Sequence, residues 1–285
     1  MDTKPKKRGR KPKKENQPKE DNENNEVKEE VKGSDSSFTI KTVQTEAFRN
    51  FLLALQNYSE IITLKISDRG IVSLELLDDV LIHSRLSSEN FEEFTIDKVI
   101  LLHINLKSFG EIIKHIKNDD IITLKKNKVD QHWSIIINNY DTNKQEKYDF
   151  NLIKREDYIG DNVIIPPAEF NYELSLSNED YEDLIKKTKH IQPEKMTIQA
   201  SDDSITFICK NPELSCEIKY GNIDLYISNN DIISGEFPYN EMASCTVFSK
   251  LCSSVRLYIK NDYPLIMHYN VANLGDIKIC IAPLL

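Results

Sequence analysis

The chain has 285 residues, 39% of them apolar and 29% charged, with only eight glycines and ten prolines. That is the make-up of a folded protein with one large or two moderate domains, and it excludes a fibrous or wholly unstructured chain. No run of about eighteen apolar residues occurs, so no helix should cross a membrane, and the basic N-terminus lacks the apolar core of a secretory signal.

The charge is unevenly placed. Residues 1–32 hold 11 Lys/Arg against 8 Asp/Glu; of the totals of 37 and 46, residues 33–285 keep 26 and 38, a net of −12. An acidic body excludes a broad basic surface but leaves room for a small basic lining inside an acidic shell. Residues 1–36 are almost all Lys, Glu, Asn and Pro and cannot bury enough surface to offset chain entropy, so they read as a disordered tail. Within it, Lys4–Lys14 (KPKKRGRKPKK) centres on Arg8, Gly9 and Arg10. Three readings stay open: an AT-hook-like core for the narrow minor groove, a nuclear localisation signal, or a nonspecific basic arm.

From Phe38 the chain reads as one unit repeated. An amphipathic stretch, Thr45–Tyr58, leads into ITLKISDRGIVSLEL (Ile62–Leu76); later Ser177–His190 leads into MTIQASDDSITFIC (Met196–Cys209). Each predicts helix, strand, turn, strand. The second parts also correspond: Ile104–Lys126 and Phe237–Lys260 each predict a strand end, a helix, a tight turn and a strand. A repeat of about 125 residues is too long for a solenoid and argues for two similar α+β domains, 37–150 and 171–285. Between them, residues 151–170 form a connector that Pro166-Pro167 keeps out of regular structure and that carries Tyr158, Ile159, Val163, Ile164 and Ile165.

No GxxxxGK[ST], GxGxxG or HExxH occurs, and the six histidines are scattered. Asp119-Asp120 and Asp202-Asp203 read as turn formers. The five cysteines include no CxxC, which points to reduced, mostly buried thiols in a cytosolic or nuclear protein. No catalytic residue, metal site or cofactor is expected, and no enzyme activity.

Three blocks carry a family resemblance. Asn105–Leu124 (NLKSFGEIIKHIKNDDIITL), Gly70–Leu86, and Tyr263–Leu285 (YPLIMHYNVANLGDIKICIAPLL) stand in the order and spacing of the proliferating cell nuclear antigen (PCNA) family, the eukaryotic DNA sliding clamp. Departures include Glu111, where the family carries a basic residue, and the Leu284-Leu285 ending; with the Ile/Asn/Lys-rich composition they suggest a large eukaryotic DNA virus or a divergent protist as the source. The resemblance implies the α+β DNA clamp (processivity) fold: two similar domains, each with two helices on antiparallel sheets, closing as a homotrimeric ring. It places the helices on the inner wall, with Arg49 on the first, Lys107, Lys114 and Lys117 on the second, Lys186, Lys187 and Lys189 on the third and Lys250 on the fourth as cations facing duplex DNA without regard to sequence. Glu111 shares a face with Lys107 and Lys114 and should pair locally.

Ring closure is expected through edge strands near Trp133–Asn138 and Leu214–Tyr220. Peptides of the PIP-box type, with one aliphatic and two aromatic anchors, would dock on Leu77, Val80, Leu81, Ile164, Ile165, Pro166, Pro264, Ala282, Pro283 and Leu284. The implied role is a processivity factor that tethers DNA polymerase and repair proteins and is loaded by a separate clamp loader, in a nucleus or a cytoplasmic viral replication factory. The alternative is the same fold acting as a scaffold in viral transcription or checkpoint signalling without a sliding role.

Overall fold

The structure is a computed structural model, and the residues it describes are 36–156, 158, 170, 172–201, 204–221, 225–227 (backbone) and 233–284. The expectations for the tail with Arg8, Gly9 and Arg10, and for Ile164, Ile165 and Pro166, lie outside the described residues.

Before the connector the order is β1 (Ser36–Thr42), α1 (Thr45–Leu55), β2 (Ile61–Ser67), β3 (Gly70–Leu77), β4 (Val80–Ser87), β5 (Glu93–Ile96), β6 (Ile100–Asn105), α2 (Leu106–Ile113), β7 (Ile121–Asn127), β8 (His132–Asn139) and β9 (Lys144–Asn151). After it come β10 (Tyr172–Ser177), α3 (Asn178–Lys189), β11 (Lys195–Ser201), β12 (Ser204–Lys210), β13 (Ser215–Gly221), β14 (Leu225–Ile227), β15 (Ile233–Pro238), α4 (Tyr239–Ser244), β16 (Ser254–Ile259), β17 (Leu265–Val271) and β18 (Gly275–Ile281). The strand–helix–strand–strand repeat is visible in both halves.

Local chemistry explains the helices. In α1, Phe48, Phe51, Leu52 and Leu55 recur at helical spacing and are all buried. Asn105 caps α2 by accepting from the Ser108 N–H at 2.9 Å, and Ser177 caps α3 by accepting from the Asp180 N–H at 3.0 Å. Glu179 and Asp180 open α3 and Lys186, Lys187 and Lys189 close it, as its dipole favours. The fourth helix departs from expectation: six α-helical residues give way to a 3-10 segment, Cys245–Lys250. Ser244 Oγ and Cys245 Sγ both donate to the Glu241 carbonyl, and Thr246 Oγ1 donates to that of Ala243. Such back-bonding competes with the regular ladder and tightens the turn.

Three antiparallel sheets result, with orders β5-β1-β7-β8-β9, β13-β12-β11-β15, and β14-β10-β16-β17-β18-β4-β3-β2-β6. The nine-stranded sheet joins the two halves where β18 pairs with β4, from Gly275 opposite Leu86 to Ile281 opposite Val80. At the β2–β3 turn Gly70 takes φ +131°, and a Cβ there would lie 2.0 Å from the Leu86 carbonyl oxygen. The C-terminal residues are held down, since the Ala282 N–H donates to the Asp79 carbonyl at 2.9 Å and the Leu284 N–H to that of Glu236 at 2.8 Å.

The segment Trp133–Asn138 is not an edge. It lies in β8, paired with β7 on one side and β9 on the other. Its Trp133, Ile135 and Ile137 are core residues, and so apolar a strand cannot be left open to water. The edge is the next strand, β9, whose sequence KQEKYDFN is polar. The second expected edge, Leu214–Tyr220, is β13 and does end its sheet.

Candidate interaction surfaces

Helices pack on one face of the nine-stranded sheet: α2 against β2 and β6, α1 against β17, and α3 against β10 and β16, while α4 rests on β11 and β15. They also touch in series, α2 with α1, α1 with the 3-10 segment and that segment with α3. The two halves meet here through Asn50, whose Nδ2 donates to the Lys250 carbonyl at 3.4 Å, and through Tyr58, whose hydroxyl lies 2.8 Å from Ser244 Oγ. Beneath, the Tyr181 hydroxyl donates to the Met242 carbonyl, and burial pushes the Cys245 thiol up to about 12. These are packed core contacts with inert thiols.

The expected cations fall on this helix layer with different degrees of freedom. Lys107, Lys114, Lys117, Lys186, Lys187, Lys189 and Lys250 are exposed. Lys114 pairs with Glu111 at 2.5 Å, Lys187 with Asp183 at 2.5 Å and Lys186 with Glu182 at 3.8 Å. The Lys114 hydrogen bond holds the Glu111 carboxyl below the usual carboxylate range, and the Asp183 bond raises Lys187. Lys107, Lys117, Lys189 and Lys250 have no ion-pair partner among the described residues. Two placements need correction. Lys117 lies beyond α2, which ends at Ile113, because Asp120 Oδ2 accepts from the Lys117 N–H and turns the chain. Arg49 reaches across from α1 to the Ile116 carbonyl and to Asn118 Oδ1 at 2.8 Å, satisfying the turn after α2 rather than standing free.

The open edges show matching alternation. On β9, Glu146, Tyr148 and Phe150 are half-buried and Lys147, Asp149 and Asn151 exposed; on β13, Cys216, Ile218 and Tyr220 are half-buried and Ser215, Glu217 and Lys219 exposed. The β9 charges are matched within the strand: Lys144 pairs with Glu146, and Lys147 with Asp149 at 2.9 Å.

The other face of the nine-stranded sheet carries two rows that cross the strands. Register aligns Leu76, Leu81, Cys280, Ile266 and Tyr258 in one row. The next row inward is Leu74, His83, Lys278, His268 and Arg256. Leu76 is 54% exposed. The connector's ends are fixed at the two sides of this face. At one, Arg155 forms an ion pair with buried Glu75 at 2.9 Å, and Tyr158 meets the ring of His103 edge-on. Glu75 Oε1 also accepts from the Thr63 N–H at 2.9 Å, just where β2 and β3 stop pairing. At the other, Phe170 lies against Tyr258 and Tyr263.

Residues 37–158 match the family model described as proliferating cell nuclear antigen, N-terminal domain. The probable DNA polymerase sliding clamp 1 of Paramecium bursaria Chlorella virus 1 is 26% identical over 267 residues, covering 87% of this chain and 97% of that protein. Proliferating cell nuclear antigen 2 of Drosophila melanogaster is 25% identical over 246 residues, covering 84% and 94%. The crystal structure of the Entamoeba histolytica antigen superposes with a TM-score of 0.80 at 23% identity, over 88% of this chain and all of that one. Residues 37–158 thus match the N-terminal domain of the proliferating cell nuclear antigen family, and the chain is similar to sliding clamps along nearly their whole length.

Within the PCNA fold the expected docking residues separate. Leu81, Pro264, Ala282 and Pro283 are half-buried at one end of the outer face, with Leu284 exposed, whereas half-buried Leu77 alternates with Leu76 and lies opposite Val80. Val80 does not join them; it is 2% exposed and points to the helix side, because alternate residues of β4 face opposite ways. Leu76, Cys280 and Ile266 were not anticipated. Their strands alternate, but only the register across four strands places them in one row.

Proposed function

We propose that this chain is one subunit of a sliding clamp that encircles duplex DNA and holds polymerase and repair proteins to it. The observation that carries this reading is a pair of open edges, β9 and β13, one in each half, beside a continuous helix layer that bears exposed lysines. Pairing β9 of one copy with β13 of the next is a head-to-tail contact of two different patches, which closes when the rotation is right. It would extend both sheets and bring Tyr148 and Phe150 beside Cys216, Ile218 and Tyr220. Three copies would close a ring of six similar units, in accord with the repeat.

In that ring the helix layer faces inward. Lys107, Lys117, Lys189 and Lys250 present free charge to phosphates, and Lys114, Lys186 and Lys187 present charge shared with acidic neighbours. Such contacts ignore sequence and permit sliding, and the acidic remainder keeps DNA off the outside. Client peptides dock on the opposite face, with their apolar anchors over Leu76, Leu81 and Pro264 and above the nearly buried Cys280 and Ile266. The chemistry belongs to the clients and the loading energy to a separate loader; the site of action is a nucleus or a viral replication factory.

Light scattering on the full chain tests this. A mass near 99 kDa, three times 33.0 kDa, together with longer polymerase products when a loader is present, is expected. A monomer at micromolar concentration, or unchanged product length, would overturn it.

A further inference from the structure

The inward row on the outer face has no part in the apolar docking just described. Residues 33–285 carry a net of −12, yet His83, Lys278, His268 and Arg256 stand side by side on four adjacent strands, with Arg85 in the following row.

Two carboxylates compensate part of this charge. Asp276 Oδ2 lies 3.2 Å from His268 Nε2, and Glu173 lies 4.0 Å from Arg256. Burial opposes ionisation of Asp276, but His268 beside it, with Lys278 and His83 nearby, holds its carboxyl below the usual range. Lys278 and Arg85 form no ion pair among the described residues, although Asp276 is the cross-strand neighbour of Arg85. With the histidines neutral, Lys278, Arg256 and Arg85 outnumber Asp276 and Glu173 by one among the described residues, beside an apolar row. Side chains two residues apart on a strand project about 7 Å apart on one face, which sets the spacing between the rows.

We infer that the client segments this face accepts carry a carboxylate side chain about 7 Å from their apolar anchor, seated on Lys278, Arg256 and His83. The inference rests on the docking reading above and adds charge selectivity to it. The carboxylate would fall two residues from the anchor in an extended client, or about one turn away in a helical one. Arg256 offers a planar fork that suits a carboxylate, and Lys278 offers a point charge.

Fluorescence anisotropy with the full chain tests it. One labelled peptide carries an aliphatic and two aromatic anchors flanked by Asp and Glu; the second replaces each acid by its amide. The acidic peptide is expected to bind about fivefold tighter near 0.1 M salt, with the advantage shrinking as salt rises. The double variant Arg256→Gln, Lys278→Gln should erase the difference while the amide peptide binds as before, which also shows that the variant folds. Equal affinities on the unaltered chain would overturn the inference and leave apolar docking standing. The inference falls equally if the acidic advantage survives in the variant, or if only a phosphorylated peptide shows one. Failure of both peptides to bind would bring down the docking reading and this inference with it.

Discussion

Glu75 and Arg155 are the side chains on which the connector's start depends. Glu75 is 4% exposed and Arg155 15%, and removing one partner of so buried a pair takes away much of what offsets the other's desolvation. Arg155→Ala should therefore lower stability by about 3 kcal/mol in urea titration, whereas an exposed pair such as Lys187–Asp183 should cost about 0.5 kcal/mol or less. Gly70 is equally constrained: Gly70→Ala puts a Cβ on the Leu86 carbonyl at a φ that L-residues avoid, and a loss of about 2 kcal/mol or more is expected by the same titration.

His83 gives a pH dependence. Burial holds its imidazole below the ordinary 6.5, against the pull of Asp276. The folded chain thus binds this proton less readily than the unfolded one. Its contribution to stability is whole above about pH 6.5 and is lost as pH falls through the folded value. Urea midpoints measured from pH 7.5 down to 5.5 should fall, and His83→Gln should flatten that slope.

At the scale of elements, the edge strands β9 and β13 have the polarity that open edges need. β9 covers its outward side with Lys147, Asp149 and Asn151, and its half-buried row is Tyr148 and Phe150. A strand so arranged stays soluble alone and still offers an apolar row to a partner. Aromatic side chains at the centre of a small interface dominate its energy. Tyr148→Ala and Ile218→Ala should each weaken self-association about tenfold or more, read as a mass that falls on dilution. Unchanged mass in both variants would remove β9–β13 pairing from the proposal.

At the scale of the whole molecule, one face of the nine-stranded sheet carries helices and lysines and the other carries the two rows. In the proposed clamp this separates DNA contact from client contact. Lys107→Glu with Lys189→Glu should leave the assembled mass unchanged and weaken DNA association. The slope of log K against log salt should fall by about 0.9 for each phosphate that is no longer neutralised. Client peptide binding should not change, because the variants lie behind the sheet.

The sequence by itself determined the repeat, the helix positions and the strand alternation, since these follow from periodicity and caps that neighbouring residues supply: Phe48 to Leu55 in α1, Asn105 and Ser177 at helix starts. Family blocks such as Asn105–Leu124 were legible because they are contiguous. Only the tertiary structure decided which strand ends a sheet, because WSIIIN and KQEKYDFN both read as strands and an edge is defined by the partner it lacks. It alone turned Val80 into core and aligned Leu76, Cys280 and Ile266 in one row on the opposite face, with Leu76 exposed and the other two nearly buried. A row across a sheet is assembled by register from residues as distant in the chain as Leu81 and Cys280, and the pairing of β18 with β4 joins the two halves. The fold also decided which lysines lack an ion-pair partner among the described residues, since that depends on whether Glu111, Glu182 or Asp183 lies within reach. Local order is set by local interactions; surfaces are set by the distant contacts that hydrophobic burial forces the chain to make.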